Sequence, residues 1–298
     1  MRTAFAIDPD QRLSESDEID LVRLGAALGY HSAWMPARAD AAAFERCLRW
    51  HSAGSLPVGI SAVPAAGRPP SFYAEQARRV WEGTQGHFTL AVGSGSMPHA
   101  AAGMRAYLAE LRGLLPPGMP LYVAALGPLM LAVGGELADG VALNWCSAPH
   151  VSWSRVRVEA AATAAGRTAP VLVEYIRTSV DVDPSAARVT LGAAVERYAL
   201  GPTPYRRHFE RMGFGGELRR VAENGADGDR DAVSAARWEP GFLSAVGAWG
   251  APGTVRGQVE RLAGGLDLPI VRVLVARRGD AGSARAVLEE CAPTPVTS

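Results

Sequence analysis

Glu174 lies in the otherwise apolar run Pro170-Val171-Leu172-Val173-Glu174-Tyr175-Ile176-Arg177. A carboxylate buried there is either paired with an arginine or functional, because an uncompensated charge is too costly to bury. Asp8 closes a second apolar run, residues 2–7, and Arg277-Arg278 closes a third, residues 269–276. The arginine pair is either a carboxylate or phosphate contact or a solvated surface pair. Of six scattered histidines, His99 stands near a helix start, whereas His31 opens an apolar run and reads as structural. Gly93-Ser94-Gly95 and Ala125-Leu126-Gly127-Pro128 each follow an apolar run. Glycine lets backbone approach a ligand, and Pro128 suits a first helical position whose free N–H groups attract negative charge. Two such turns suit a phosphate-bearing cofactor, although any strand-to-helix turn also favours glycine. The first of them lacks the third glycine of a dinucleotide fingerprint, and Pro98 follows it.

Composition removes several chemistries. All 30 basic residues are arginine. Without lysine there is no Schiff base, no pyridoxal phosphate attachment and no Walker A loop. Cys47, Cys146 and Cys291 are far apart with no C-x-x-C pair, G-x-S-x-G and H-E-x-x-H are absent, and no two histidines stand at metal spacing. The expectation is a reducing compartment, no metal site and no classical hydrolase centre. A formal net charge of zero leaves no electrostatic footprint for nucleic acid or an anionic membrane. The N-terminus lacks a signal-like apolar run and no stretch is long enough to span a bilayer, so a cytoplasmic protein is expected.

The elements that must position these residues follow from alternation. Short apolar runs at 2–7, 30–35, 56–63, 88–93, 120–125, 139–144, 170–177 and 269–276 are separated by segments of helical period. Runs apolar on both sides fit parallel strands covered on both faces. Eight β/α units in 298 residues predict an α/β fold, a closed (β/α)8 TIM barrel forming one domain over residues 1–298, with an open doubly wound sheet as the second choice. Ser14 or Ser16 is expected to cap the first helix, Gly29 to end it, and Gly86 and Gly140 to mark similar junctions. Residues 201–250 break the rhythm and read as an insertion between strands seven and eight, either a lid over the mouth or a packing and dimerisation element. The Pro/Thr-rich tail after Cys291 is expected to fray. A barrel's site lies at the C-terminal ends of its strands. That places Asp8, Trp34, Ser61, Ala62, Gly93, Ser94, Gly95, Ala125–Pro128, Asn144, Glu174, Arg177 and Arg277 at the mouth.

From Pro120 to Asn144 the sequence becomes specific. Pro120-Leu121-Tyr122-Val123-Ala124-Ala125-Leu126-Gly127-Pro128-Leu129-Met130-Leu131, then Gly135-Glu136-Leu137-Ala138-Asp139-Gly140-Val141-Ala142-Leu143-Asn144, resembles the strand-five to strand-six run of the luciferase-like family. Gly83–Gly95 and Gly250-Ala251-Pro252-Gly253-Thr254-Val255 resemble two further family motifs, so the likeness spans essentially the whole chain. The spacing is most similar to the branch that uses the deazaflavin coenzyme F420, next to the FMN-dependent monooxygenases. The resemblance implies that Gly127 and Pro128, with Ala125 and Leu126, offer backbone to the cofactor phosphate beside Gly93, Ser94 and Gly95. Ser61-Ala62 matches a non-proline cis peptide that backs the deazaflavin ring. The chain departs from the family at Met35-Pro36-Ala37-Arg38, where Asp-His is common, at Ser96, where some members carry an acid, and at His87, which replaces an arginine.

The activity so implied is hydride transfer between F420 and a small-molecule or natural-product substrate bearing C=C, C=O or C=N. Asp8, Glu174 and His99 are then the candidate proton donors, and Trp34, Asn144, Arg177 and Arg277 shape the substrate pocket. An FMN-dependent monooxygenase and a non-catalytic binding barrel are the alternatives. A homodimer is expected, since dimers are common in the family.

Overall fold

A computed structural model describes residues 2–201, 203–224 and 237–294. All eight expected strands are present. They are β1 (Ala4–Ala6), β2 (Ala33–Met35), β3 (Val58–Pro64), β4 (Phe88–Gly93), β5 (Leu121–Ala124), β6 (Gly140–Asn144), β7 (Val171–Val180) and β9 (Leu268–Leu274). Each pairs in parallel with the next in that order, and β9 returns to β1, which closes the sheet into a barrel. A ninth short strand, β8 (Ala248–Gly250), extends the end of β7. Its three residues are too few to show a periodicity in sequence.

Helices α1 (Glu15–Ala27), α2 (Ala42–Gly54), α3 (Pro70–Gly83), α4 (Ala100–Leu114), α5 (Pro128–Leu137), α6 (Ala148–Ala164) and α7 (Pro184–Ala199) follow the first seven strands in turn. Ser14 caps α1, its hydroxyl accepting from the Asp17 N–H at 3.1 Å, and Gly29 takes the left-handed conformation just past the helix end (φ 82°). Gly140 serves a different purpose from the junction role expected of it. The Tyr122 ring lies so close that a Cβ there would stand 2.5 Å from it. Strand alternation divides the side chains into two sets. On β7, Leu172 and Ile176 join the mantle between sheet and helices, whereas Val173 and Tyr175 point into the barrel with Trp34, Tyr122, Ala142 and Ile270. The interior is therefore packed rather than hollow, as barrels of this size require.

The described part of the 201–250 insertion forms α8 (Thr203–Arg211), α9 (Gly215–Asn224) and α10 (Pro240–Val246). Phe209, Trp238, Phe242 and Leu243 pack with Leu191 and Val195 of α7 and with Trp145 at the end of β6. This second small core seats the insertion over the C-terminal end of the barrel. Helices α11 (Arg256–Leu262) and α12 (Ala281–Glu290) complete the mantle. Pro202, residues 225–236 and the tail from 295, where fraying was expected, lie outside the described residues. Among the described residues no helix is long and apolar enough to cross a membrane.

Candidate functional site

The inward parity that puts Tyr175 inside the barrel also puts Arg177 there, one step nearer the mouth, and β9 does the same for Arg272. Both guanidiniums are buried, at 1% and 6% exposure. Arg272 forms a short ion pair with Asp8, whose side chain also caps the turn after β1 by accepting from the Asp10 N–H at 2.9 Å. Burial works against the Asp8 charge, but Arg272, the Asp10 N–H and Arg177 together outweigh it and hold the carboxyl below its ordinary value. Arg177 donates to Asn144 Oδ1 at 2.6 Å and lies 3.8 Å from the centre of the Trp145 ring, a cation–π contact. Burial, with Arg272 nearby, pulls its pKa down to about 10, so it stays charged at neutral pH.

Tyr198 of α7 lies 5.1 Å from the Arg177 guanidinium and faces the same space. Burial pushes its phenol up, yet Arg177 and Arg272 together outweigh that and lower it. These groups border a cleft of about 470 Å³ that runs from Asp8 past Arg38 to Tyr198 and Arg197. On the far side of the mouth α8 covers β5 and β6, with the Asn144 amide donating to the Tyr205 hydroxyl at 2.7 Å.

The two glycine turns border this mouth. Helix α5 begins at Pro128 behind an extended Gly127, and no side chain caps its first-turn N–H groups. Arg211 of α8 donates to the Leu126 carbonyl at 3.2 Å, and its guanidinium lies 3.5 Å from where a Gly127 Cβ would stand. Uncapped N–H groups at a helix start beside a guanidinium suit a phosphate. Gly95 is left-handed (φ 59°) and exposed, and Ser94 is half-buried. The Ser61–Ala62 peptide is cis, and the β3–β4 register shifts between Ile60 and Val63. The residues present therefore fit the phosphate arm of a flavin-like cofactor.

Other expected site residues lie elsewhere or do other work. Glu174 has the parity of Leu172 and Ile176, so it faces the mantle and not the mouth. There its Oε1 accepts from the Cys146 N–H at 2.6 Å, Oε2 has no partner, and burial pushes its pKa up to about 8. Asp8 is ionised and bound to Arg272, which makes it a positioning group for that guanidinium instead of a proton donor. His99 is exposed at the start of α4 in a left-handed conformation (φ 47°). Trp34 is 2% exposed, donates to the Ser32 hydroxyl at 2.8 Å and fills the barrel interior, so it does not border the open cleft. Arg277 is solvated and pairs with Asp280 at 3.4 Å. Asn144 and Arg177, both expected to shape the substrate pocket, bond to one another.

Sequence reading missed Arg272, Tyr198 and Tyr205. The available signal was alternation: Val173-x-Tyr175-x-Arg177 and Ile270-x-Arg272-x-Leu274 each place a guanidinium on the inward face. It also expected no metal site, because no two histidines stand at metal spacing in the sequence. The ligand-capable atoms of Cys146, His150 and His208, all buried, lie within 4.8 Å of one another. Such a group could hold a divalent ion.

Comparison with known proteins agrees with the barrel. Over 100 residues the chain is 32% identical to 5,10-methylenetetrahydromethanopterin reductase of Archaeoglobus fulgidus. That stretch covers 32% of this chain and 30% of the relative, so the likeness spans under a third of the relative's length. Coenzyme F420-dependent tetrahydromethanopterin reductase from Methanopyrus kandleri shares the fold with a TM-score of 0.75 at 18% identity, covering 97% of both chains. The oxygenating constituent of 3,6-diketocamphane monooxygenase from Pseudomonas putida, in complex with FMN, shares it at 0.60 and 13% identity over 100% of both chains. The sequence model of the luciferase-like monooxygenases matches residues 105–267, more than half of the 298, and the chain belongs to that family.

Proposed function

We propose that this protein is an F420-dependent oxidoreductase that transfers hydride between the deazaflavin and a small-molecule or natural-product substrate bearing C=C, C=O or C=N. The observation that carries the reading is the charge pattern of the mouth. Two buried guanidiniums, Arg177 and Arg272, face one carboxylate, Asp8, across the mouth from a turn at Gly127 suited to phosphate. When bound, the reduced deazaflavin supplies the hydride, and the protein supplies orientation and charge. Gly127 and Pro128 with Arg211 would hold the phosphate arm, beside Gly93, Ser94 and Gly95. Arg177 and Arg272 place fixed positive charge where negative charge develops on a reduced carbonyl or alkene. Asp8 holds the Arg272 fork in place. Tyr198 is the proton donor in this reading, because it lines the cleft beside Arg177 and Arg272 and these guanidiniums lower its pKa.

The reductase name of the Archaeoglobus relative and the F420 in the name of the Methanopyrus protein support the deazaflavin. The FMN of the Pseudomonas protein supports an FMN-dependent oxygenase as the second reading. A cytoplasmic homodimer belongs to the proposal, and the three cysteines, all buried and free, suit a reducing compartment. A monomeric mass by sedimentation would remove the dimer.

The test is a pair of titrations followed by tryptophan fluorescence, one with F420 and one with FMN. Saturation at micromolar F420, with weak or no FMN binding, supports the proposal and leads to anaerobic screens with unsaturated substrates. Tighter FMN binding transfers the protein to the oxygenase reading. Binding of neither overturns hydride transfer and leaves a non-catalytic barrel.

A further inference from the structure

Cys146 follows β6, His150 lies in the first turn of α6, and His208 lies on α8 of the insertion. The three come from separate elements, yet their side chains converge behind the mouth in a space closed to solvent. We propose that Cys146, His150 and His208 form a structural zinc site that ties the insertion to the barrel.

The donor set suits that ion. One thiolate and two imidazoles form a borderline-soft trio of the kind zinc takes in closed sites. Zn–S and Zn–N bonds of about 2.3 and 2.0 Å at a tetrahedral angle put sulfur and nitrogen roughly 3.5 Å apart. Cys146 Sγ and His208 Nε2 are 3.8 Å apart.

His208 supplies a second argument. Its Nδ1 faces the Leu126 carbonyl at 3.2 Å, and its Nε2 faces the Trp145 carbonyl at 3.1 Å as well as the sulfur. A neutral ring carries one proton. With that proton on Nδ1 and donated to Leu126, Nε2 presents a lone pair to the cavity. Metal-bound histidines are held in this way, the far nitrogen bonded to a carbonyl.

His150 is 6% exposed, and its Nε2 is buried without a hydrogen-bond partner. Its ring lies edge to face with His208 at 5.0 Å. These three residues supply three of the four ligands of a tetrahedral site, and the one thiolate offsets half the charge of a divalent cation. Binding displaces the thiol proton to solvent, so uptake is accompanied by proton release.

The test uses untagged protein freed of metal by a chelator and titrated with Co2+, then with Zn2+. The expected result is one equivalent of Co2+ per chain with a thiolate-to-cobalt charge-transfer band, bleached by Zn2+, and a Tm raised by Zn2+. Cys146→Ser should abolish the band, and His150→Ala or His208→Ala should weaken binding about tenfold or more. No stoichiometric binding overturns the site, as does binding without the band or a band that survives Cys146→Ser. If the variants fail to fold by circular dichroism, the wild-type cobalt spectrum and zinc content decide the matter. Neither readout depends on F420 binding or turnover, so failure here leaves the hydride-transfer reading untouched.

Discussion

Replacing Asp8 by Asn removes one charge from the barrel interior while keeping an oxygen for the Asp10 N–H. The Asp8 and Arg272 side chains are 10% and 7% exposed, and Arg177 shares their interior with neutral Asn144 as its contact. Loss of the carboxylate leaves two guanidiniums there without that counter-charge. Breaking a buried pair from one side costs about 3–5 kcal/mol. A domain stable by roughly 5–15 kcal/mol would then be marginal. Because the penalty arises from the stranded cation, Asp8→Asn combined with Arg272→Met should recover most of it, with a coupling of about 2–3 kcal/mol.

Equilibrium urea unfolding followed by tryptophan fluorescence measures each variant at pH 7, and a pH series adds an independent check. Asp8 has a folded pKa below its ordinary value of 3.8. Its stabilisation is therefore complete above that ordinary value and is lost as pH falls through the folded one. Wild type and Asp8→Asn should converge in acid and separate toward neutrality. A loss under about 1 kcal/mol at pH 7, or a double variant no more stable than the single one, would refute the buried-pair argument.

Glu174 predicts the opposite pH trend in metal-free protein. Its folded pKa, raised from 4.5 to about 8, means the unfolded chain gives up the proton first, so stability falls as pH rises across that window. Glu174→Gln should flatten the dependence, gaining up to roughly 5 kcal/mol by pH 8, and a wild-type curve already flat there would contradict the burial described. Arg211→Ala should weaken F420 binding about tenfold while leaving a deazaflavin analogue without the phosphate arm unaffected; equal losses for both ligands would dissociate Arg211 from the phosphate. Tyr198→Phe should lower kcat about a hundredfold or more and remove the alkaline limb of its pH profile with little change in coenzyme Kd. An unchanged profile would return the donor role to another group.

Much of the scaffold was legible because buried parallel strands must be apolar on both faces, and the short runs from 2–7 to 269–276 declare themselves. The turns at Gly93–Gly95 and Gly127-Pro128 were legible as strand-to-helix junctions, where glycine and a first-turn proline are favoured. Parity was harder to read. Glu174 and Arg177 differ by three positions, so one faces the mantle and the other the mouth, and only the position of the barrel axis decides which. Trp34 stood at a strand end in sequence, yet the barrel closed around it and made it filling.

Sequence by itself determined the eight strands of the barrel, the family motif at 120–144 and the absence of lysine chemistry, all of which depend on local composition and short-range pattern. Tertiary structure decided the Asp8–Arg272 pair, separated by 264 positions, and the meeting of Cys146 with His208 across 62. Side-chain partners so distant are set by barrel closure and by how the insertion packs, and no local periodicity encodes either.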